Sequence, residues 1–135
     1  MNGETFERIS KQQIEKCFDT LNAKATEYSA GQDRLHNFKL AAELQQCNPK
    51  KALAGMMVKH VVSVFDMCMS EQIFPSTLWD EKINDTINYL LLLKALELEE
   101  KSTLTRDYAE ISCMNIDVEP QSITFTKGDS HEDKS

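Results

Sequence analysis

A chain of 135 residues is long enough for one domain with a real core and too short for two. With 41% hydrophobic residues and a net charge of −7, it is neither a disordered polymer nor a protein that coats duplex nucleic acid by neutralising phosphates. Four glycines and three prolines are too few for a turn-rich β fold and favour helices joined by short turns.

The first segment runs from Phe6 to Tyr28. Ile14, Phe18, Leu21, Ala25 and Tyr28 recur in steps of four and three, which predicts an amphipathic helix ending near Gly31. Asp33 is the expected N-cap of a shorter second helix through Gln46, with Leu35, Phe38, Ala42 and Leu44 inward. Its first turn, DRLHNFK, is rich in groups able to contact a ligand.

Asn48-Pro49 is a capping residue followed by proline at the first helical position, so a third helix should begin there and reach Ser70. After the loop EQIFPS, Thr77 with Asp80 three residues later predicts the start of a fourth helix, lasting to about Lys101. Leu104 to Ile111 can form one more short helix. Residues 112 to 126 hold β-branched stretches around Pro120 that suit extended chain, and 127 to 135 carry no large apolar residue. The expectation is an all-α fold: a four-helix bundle-like array over residues 1–101, an appendage over 102–126 and a tail over 127–135.

The third helix is apolar nearly all round, a composition that suits a central element. Its polar residues Lys59, Ser63 and Asp66 stand at i, i+4 and i+7, with His60 on their flank. The fourth repeats the construction with Glu81, Asp85 and Asn88, followed by Tyr89 and the run Leu90 to Leu93. A short loop makes the two helices antiparallel neighbours. Each stripe is either a solvated edge or one wall of a polar seam. Buried ions stabilise a fold poorly, so a seam points to a ligand or a partner.

The residue types suit a nucleotide. Asp66, Glu81 and Asp85 are hard oxygen donors of the kind that hold Mg²⁺. Arg34, Lys39 and Lys59 can take phosphate oxygens. Asn37 and Asn88 can read a base edge or a sugar hydroxyl, and Tyr28, Phe38 and Tyr89 can cover a flat ring. His60 is a candidate general base, with Lys59 beside it, and His36 a candidate ligand contact. There is no P-loop, GxGxxG, GxSxG or HExxH. Cys17, Cys47, Cys68 and Cys113 show no paired spacing and are expected to be reduced. No charged-then-apolar leader and no uninterrupted 18-residue apolar run occurs, so the expectation is a cytoplasmic protein that does not span a membrane.

The stretches KATEYSAGQDRLHNFK, MMVKHVVSVFD and EKINDTINYLLLL, taken in order, resemble small phage and prophage proteins of the nucleotide-modification-associated domain family. More distantly the layout is similar to MazG-like all-α nucleoside triphosphate pyrophosphatases. The resemblance implies a Mg²⁺-assisted nucleotide site with Glu81 and Asp85 as metal ligands, a homo-oligomeric assembly, and the cytoplasm of a bacterial host. Where those pyrophosphatases carry an E-x-x-E pair, this chain has K-H-x-x-S-x-x-D. The expected function is thus nucleotide binding with or without hydrolysis of a nucleoside polyphosphate. The alternatives are a non-catalytic sequestering module and an acidic protein–protein interaction factor.

Overall fold

Asn2 opens the first helix by accepting the backbone N–H of Thr5 at 2.8 Å through its side-chain oxygen. The computed structural model describes residues 1–28 and 33–113, with side chains described throughout except at 26–28. The helices are α1 (Gly3–Tyr28), α2 (His36–Leu44), α3 (Pro49–Met69) and α4 (Ser76–Cys113). No strand occurs among the described residues, and the fold is all-α and bundle-like.

The chain divides into two units, one of Met1–Ser102 and one beginning at Thr103. In the second, residues 103–113 are helical and exposed. The short helix expected from Leu104 to Ile111 is the far end of α4 itself. The sequence places nothing between Lys101 and Leu104 that breaks a helix. The extended stretch expected to Thr126 and the tail lie outside the described residues, apart from 112 and 113, which are helical.

α3 starts as its sequence dictates: Asn48 caps it by accepting from Lys51 N at 2.9 Å, with Pro49 in the first turn. α2 departs from expectation at its front edge. The Asp33 side chain accepts from Leu35 N at 2.9 Å and its carbonyl from His36 N at 3.2 Å, so Asp33 forms a turn and regular helix begins three residues later. α2 ends in a Schellman motif. Cys47 N–H reaches Ala42 O at 2.9 Å, Gln46 N–H reaches Glu43 O at 3.2 Å, and Gln46 sits at φ 52°, a conformation that favours glycine.

α3 and α4 run antiparallel. Lys50 pairs with Glu100 at one end and His60 with Asp85 further along, while Leu53 and Leu96 belong to one core cluster between them. That core is small: Leu35, Phe38, Leu53 and Leu96, backed by Met56, Met57, Tyr89, Leu92 and Leu93. α1 lies along α4 in the same direction, through Lys16 to Asp80 at 2.7 Å and Thr20 to Asn84 at 2.7 Å.

These pairings turn α1 differently from what its apolar spacing suggests. Cys17 is fully buried, whereas Ile14 and Phe18, expected inside, are half exposed. One residue is about 100° of helix, so pointing Cys17, Thr20 and Leu21 inward leaves Phe18 outside. Of the leucine run, Leu92 and Leu93 back the core, and Leu90 and Leu91 are exposed.

By length and composition α3 is apolar enough to cross a membrane, although Lys59, His60 and Asp66 interrupt it. Its inner side carries the buried Ala52, Leu53 and Met67.

Candidate functional site

Above the core, α1, α2 and α4, with Met56 of α3, line a cavity of about 510 Å³, within the range of small-molecule sites. Its apolar wall is Leu21 and Ala25 from α1, Leu40, Ala41 and Leu44 from α2, Met56 from α3 and Leu92 from α4. Phe38 and Tyr89 give it aromatic sides, their rings edge-to-face at 6.3 Å. The polar groups on the wall are Lys24, Asp33, Arg34, Asn37, Asp85 and Asn88.

The polar line on α4 sinks into the protein as it ascends. Glu81 is exposed, Asp85 half-buried and Asn88 only 6% exposed. Asp85 Oδ2 lies 3.2 Å from His60 Nδ1, and its other oxygen stands 4.0 Å from Lys24 Nζ, beyond hydrogen-bond reach. The His60 ring stacks, tilted by 33°, on Tyr89 at 4.9 Å. Burial, and then the Asp85 charge, push the Tyr89 phenol above the usual tyrosine range.

Asn88 lies deepest on this line. Its Oδ1 is buried and has no hydrogen-bond partner among the described residues, as is also true of Asn84 Oδ1, which borders a shallower hollow rather than the cavity. An orphaned buried acceptor costs about 1–3 kcal/mol, and folds seldom leave one without a reason.

The cavity's mouth is cationic. Lys24 and Arg34 are exposed, and Arg34 Nη2 donates to the Leu21 carbonyl at 2.8 Å, which anchors one corner of the guanidinium and leaves other N–H groups free to donate. Asp33, though on the wall, is engaged by Lys39 at 2.8 Å and by Leu35 N–H, and these hold its carboxyl below the usual range.

The structure therefore brings together Arg34, Asn37, Asp85, Asn88 and Tyr89 on one cavity, with His60 behind Asp85 and Tyr89. It places the other candidates elsewhere. Lys39 is bound between Asp33 and Glu99, each at 2.8 Å. His36 is exposed at the start of α2. Lys59 and Asp66 are exposed on α3. Glu81 pairs with Lys82 at 2.7 Å and lines a second, shallower hollow with Asp80, Asp19 and Asn84. The Tyr28 side chain lies outside the described residues.

Spacing alone missed Lys24, Leu40 and Ala41; Leu44, expected inward, borders the cavity but is largely exposed. Lys24 lies one turn beyond Thr20 on the side of α1 that faces α4, a signal that becomes visible only once the rotation of α1 is known.

The Mg²⁺ expectation can be tested on the donor set. Among the described residues no three Asp, Glu, His or Cys side chains gather where one ion could reach them. Asp66 is exposed on α3, Glu81 belongs to the shallower hollow and Asp85 is engaged by His60, so these three do not fit a shared metal site. No family model matches the chain, and neither does any curated protein or solved structure. The family resemblance thus rests on the motif spacing alone.

Proposed function

We propose that the protein binds a nucleotide or nucleotide-like small molecule in the cavity between α1, α2 and α4. The observation that carries this reading is the buried, unpartnered Asn88 Oδ1 on the cavity wall. A ligand that donates a hydrogen bond there would satisfy an acceptor for which the described residues offer no partner.

The surroundings match the parts of a nucleotide. Phe38 and Tyr89 offer aromatic contact to a flat ring, and Asp85 and Asn88 are acceptors for its amino or imino edge. Lys24 and Arg34 at the mouth suit an anionic phosphate. The reading is one of binding without turnover, because the acids that hydrolysis would use do not converge among the described residues.

Calorimetric titration with nucleosides and with nucleoside mono-, di- and triphosphates, with and without Mg²⁺, tests the proposal. Mass spectrometry of small molecules released from the heat-denatured protein accompanies it. Saturable binding is expected, weakened by Arg34→Ala and Asp85→Asn and independent of Mg²⁺. If no nucleotide binds and nothing is released, the reading fails. If a nucleotide binds and is then hydrolysed with Mg²⁺, the binding-only part fails.

A further inference from the structure

The outward side of α3 is apolar and, among the described residues, uncovered. Val58, Val62, Phe65 and Met69 follow one another in steps of four, three and four, and Val61 lies beside them. These five side chains are 44–71% exposed. Together they leave a patch on the order of 500 Å², at the top of what a monomer commonly shows and more than half of the roughly 800 Å² per partner in a standard interface. The stepping is that of a coiled-coil seam, and Gly55 extends it one step toward the N-terminus.

Two charges border the seam. Lys59 and Asp66 are both exposed, lie on the same flank seven residues apart, and take part in none of the ion pairs among the described residues. Opposite charges at that separation are self-complementary under a twofold axis, since in an antiparallel pair each flank meets its own copy. In a parallel pair this flank would instead face the side carrying Val61 and Cys68, which has no charge to offer.

We propose that two copies of the chain pair antiparallel through α3, with the twofold axis between Val62 and Ser63, so that Lys59 of each copy meets Asp66 of the partner subunit. Gly55 supports the register. Among the described residues nothing lies within 4 Å of the place its Cβ would occupy, so no contact there explains a glycine in mid-helix. In this register Gly55 falls opposite Ser70 and beside Met69 of the partner subunit, leaving a hole for that side chain. The pairing is independent of the ligand reading and gives Lys59 and Asp66 a role that the cavity does not.

A lipid surface is the competing occupant for so apolar a helix. It is disfavoured because the same outward face would carry Lys59 and Asp66 into hydrocarbon.

Sedimentation equilibrium at micromolar concentration tests the pairing on wild type, Lys59→Asp, Asp66→Lys, the double swap and Phe65→Glu. All four variants alter exposed side chains, and far-UV circular dichroism checks that each remains helical. Wild type is expected to be a dimer and Phe65→Glu a monomer. Each single reversal sets two like-charge pairs at the rim and should weaken dimerisation about tenfold, while the double swap restores it. The proposal is overturned if wild type is a monomer, if the single reversals dimerise like wild type, or if the double swap is no better than they are. It is equally overturned if wild type floats with phosphatidylcholine–phosphatidylglycerol vesicles while remaining monomeric without them.

Discussion

Replacing Asn88 by leucine distinguishes an amide kept for a ligand from one kept for the fold. Leucine has the same branching, so Asn88→Leu removes the polar atoms with little change of shape. Asn88 is 6% exposed and its Oδ1 has no partner, so in the empty protein the amide is a cost. Relieving it should stabilise the protein by about 1–3 kcal/mol. The higher helix propensity of leucine adds up to about 0.5 kcal/mol, so only a larger gain counts. For a chain of 135 residues, each kcal/mol raises Tm by about 3–5 °C.

The assay is reversible urea unfolding of wild type and variant, with nucleotide titration of both. The expected outcome is a more stable protein that no longer binds, the trade-off of a site kept at the expense of stability. A loss of stability would refute the reasoning, since it would mean that the amide is satisfied in the empty protein, for instance by ordered water, and serves the fold. A stabilised variant that still binds would refute the role of Asn88 while leaving the cavity in place.

Further expectations rest on the other details of the fold. Leu53 is fully buried in the core between α3 and α4, so Leu53→Ala should cost about 2–5 kcal/mol in the same unfolding assay. Gln46 holds the left-handed position of the Schellman motif at φ 52°, so Gln46→Gly should stabilise by about 1 kcal/mol; no gain would show that its side chain matters more than its backbone. The Tyr89 pKa is raised in the folded state, so the stability linked to its neutral phenol is complete below about pH 10 and lost as pH climbs through the folded value. Tyrosinate absorbance should show a late-titrating component in wild type that is lost in Tyr89→Phe. Burial raises the Cys17 thiol pKa as well, so a thiol reagent should label exposed Cys68 or Cys113 in the native protein and Cys17 only on unfolding.

How much of this was legible in the sequence depends on what each signal measures. Periodicity and caps report local backbone, and they located α1, α3 and the start of α4 to within a few residues. They located the antiparallel α3–α4 pair too, because a short loop leaves little choice. Rotation about the helix axis was not legible. The line Lys59–Ser63–Asp66 looked like one wall of a seam, but about 100° separates adjacent residues, so turning His60 inward onto Asp85 leaves Lys59 and Asp66 in solvent. The same ambiguity misplaced Ile14 and Phe18 on α1. On α4 the spacing of Asp85, Asn88 and Tyr89 did mark one wall of the cavity, because all three face the same neighbours. The opposite wall depends on how α1 and α2 come together, and pairs such as Thr20 with Asn84 have no counterpart in local spacing.

That rotation also separates the two roles proposed for the chain. Met56 and His60 occupy the inner side of α3, toward the cavity and Asp85, while Val58, Val62 and Phe65 occupy the outer side. A charge reversal at Lys59 should therefore change self-association and leave nucleotide affinity alone, and Asn88→Leu should do the opposite. If instead the Lys59→Asp and Asn88→Leu effects on nucleotide affinity proved non-additive, the two faces would share an energetic link through α3. Independence is the expectation, because the charged flank and the cavity wall touch different neighbours, and distant sites without shared partners usually add. An inner face that shapes a ligand chamber and an outer face that joins two copies would also account for a helix apolar nearly all round in so small a protein.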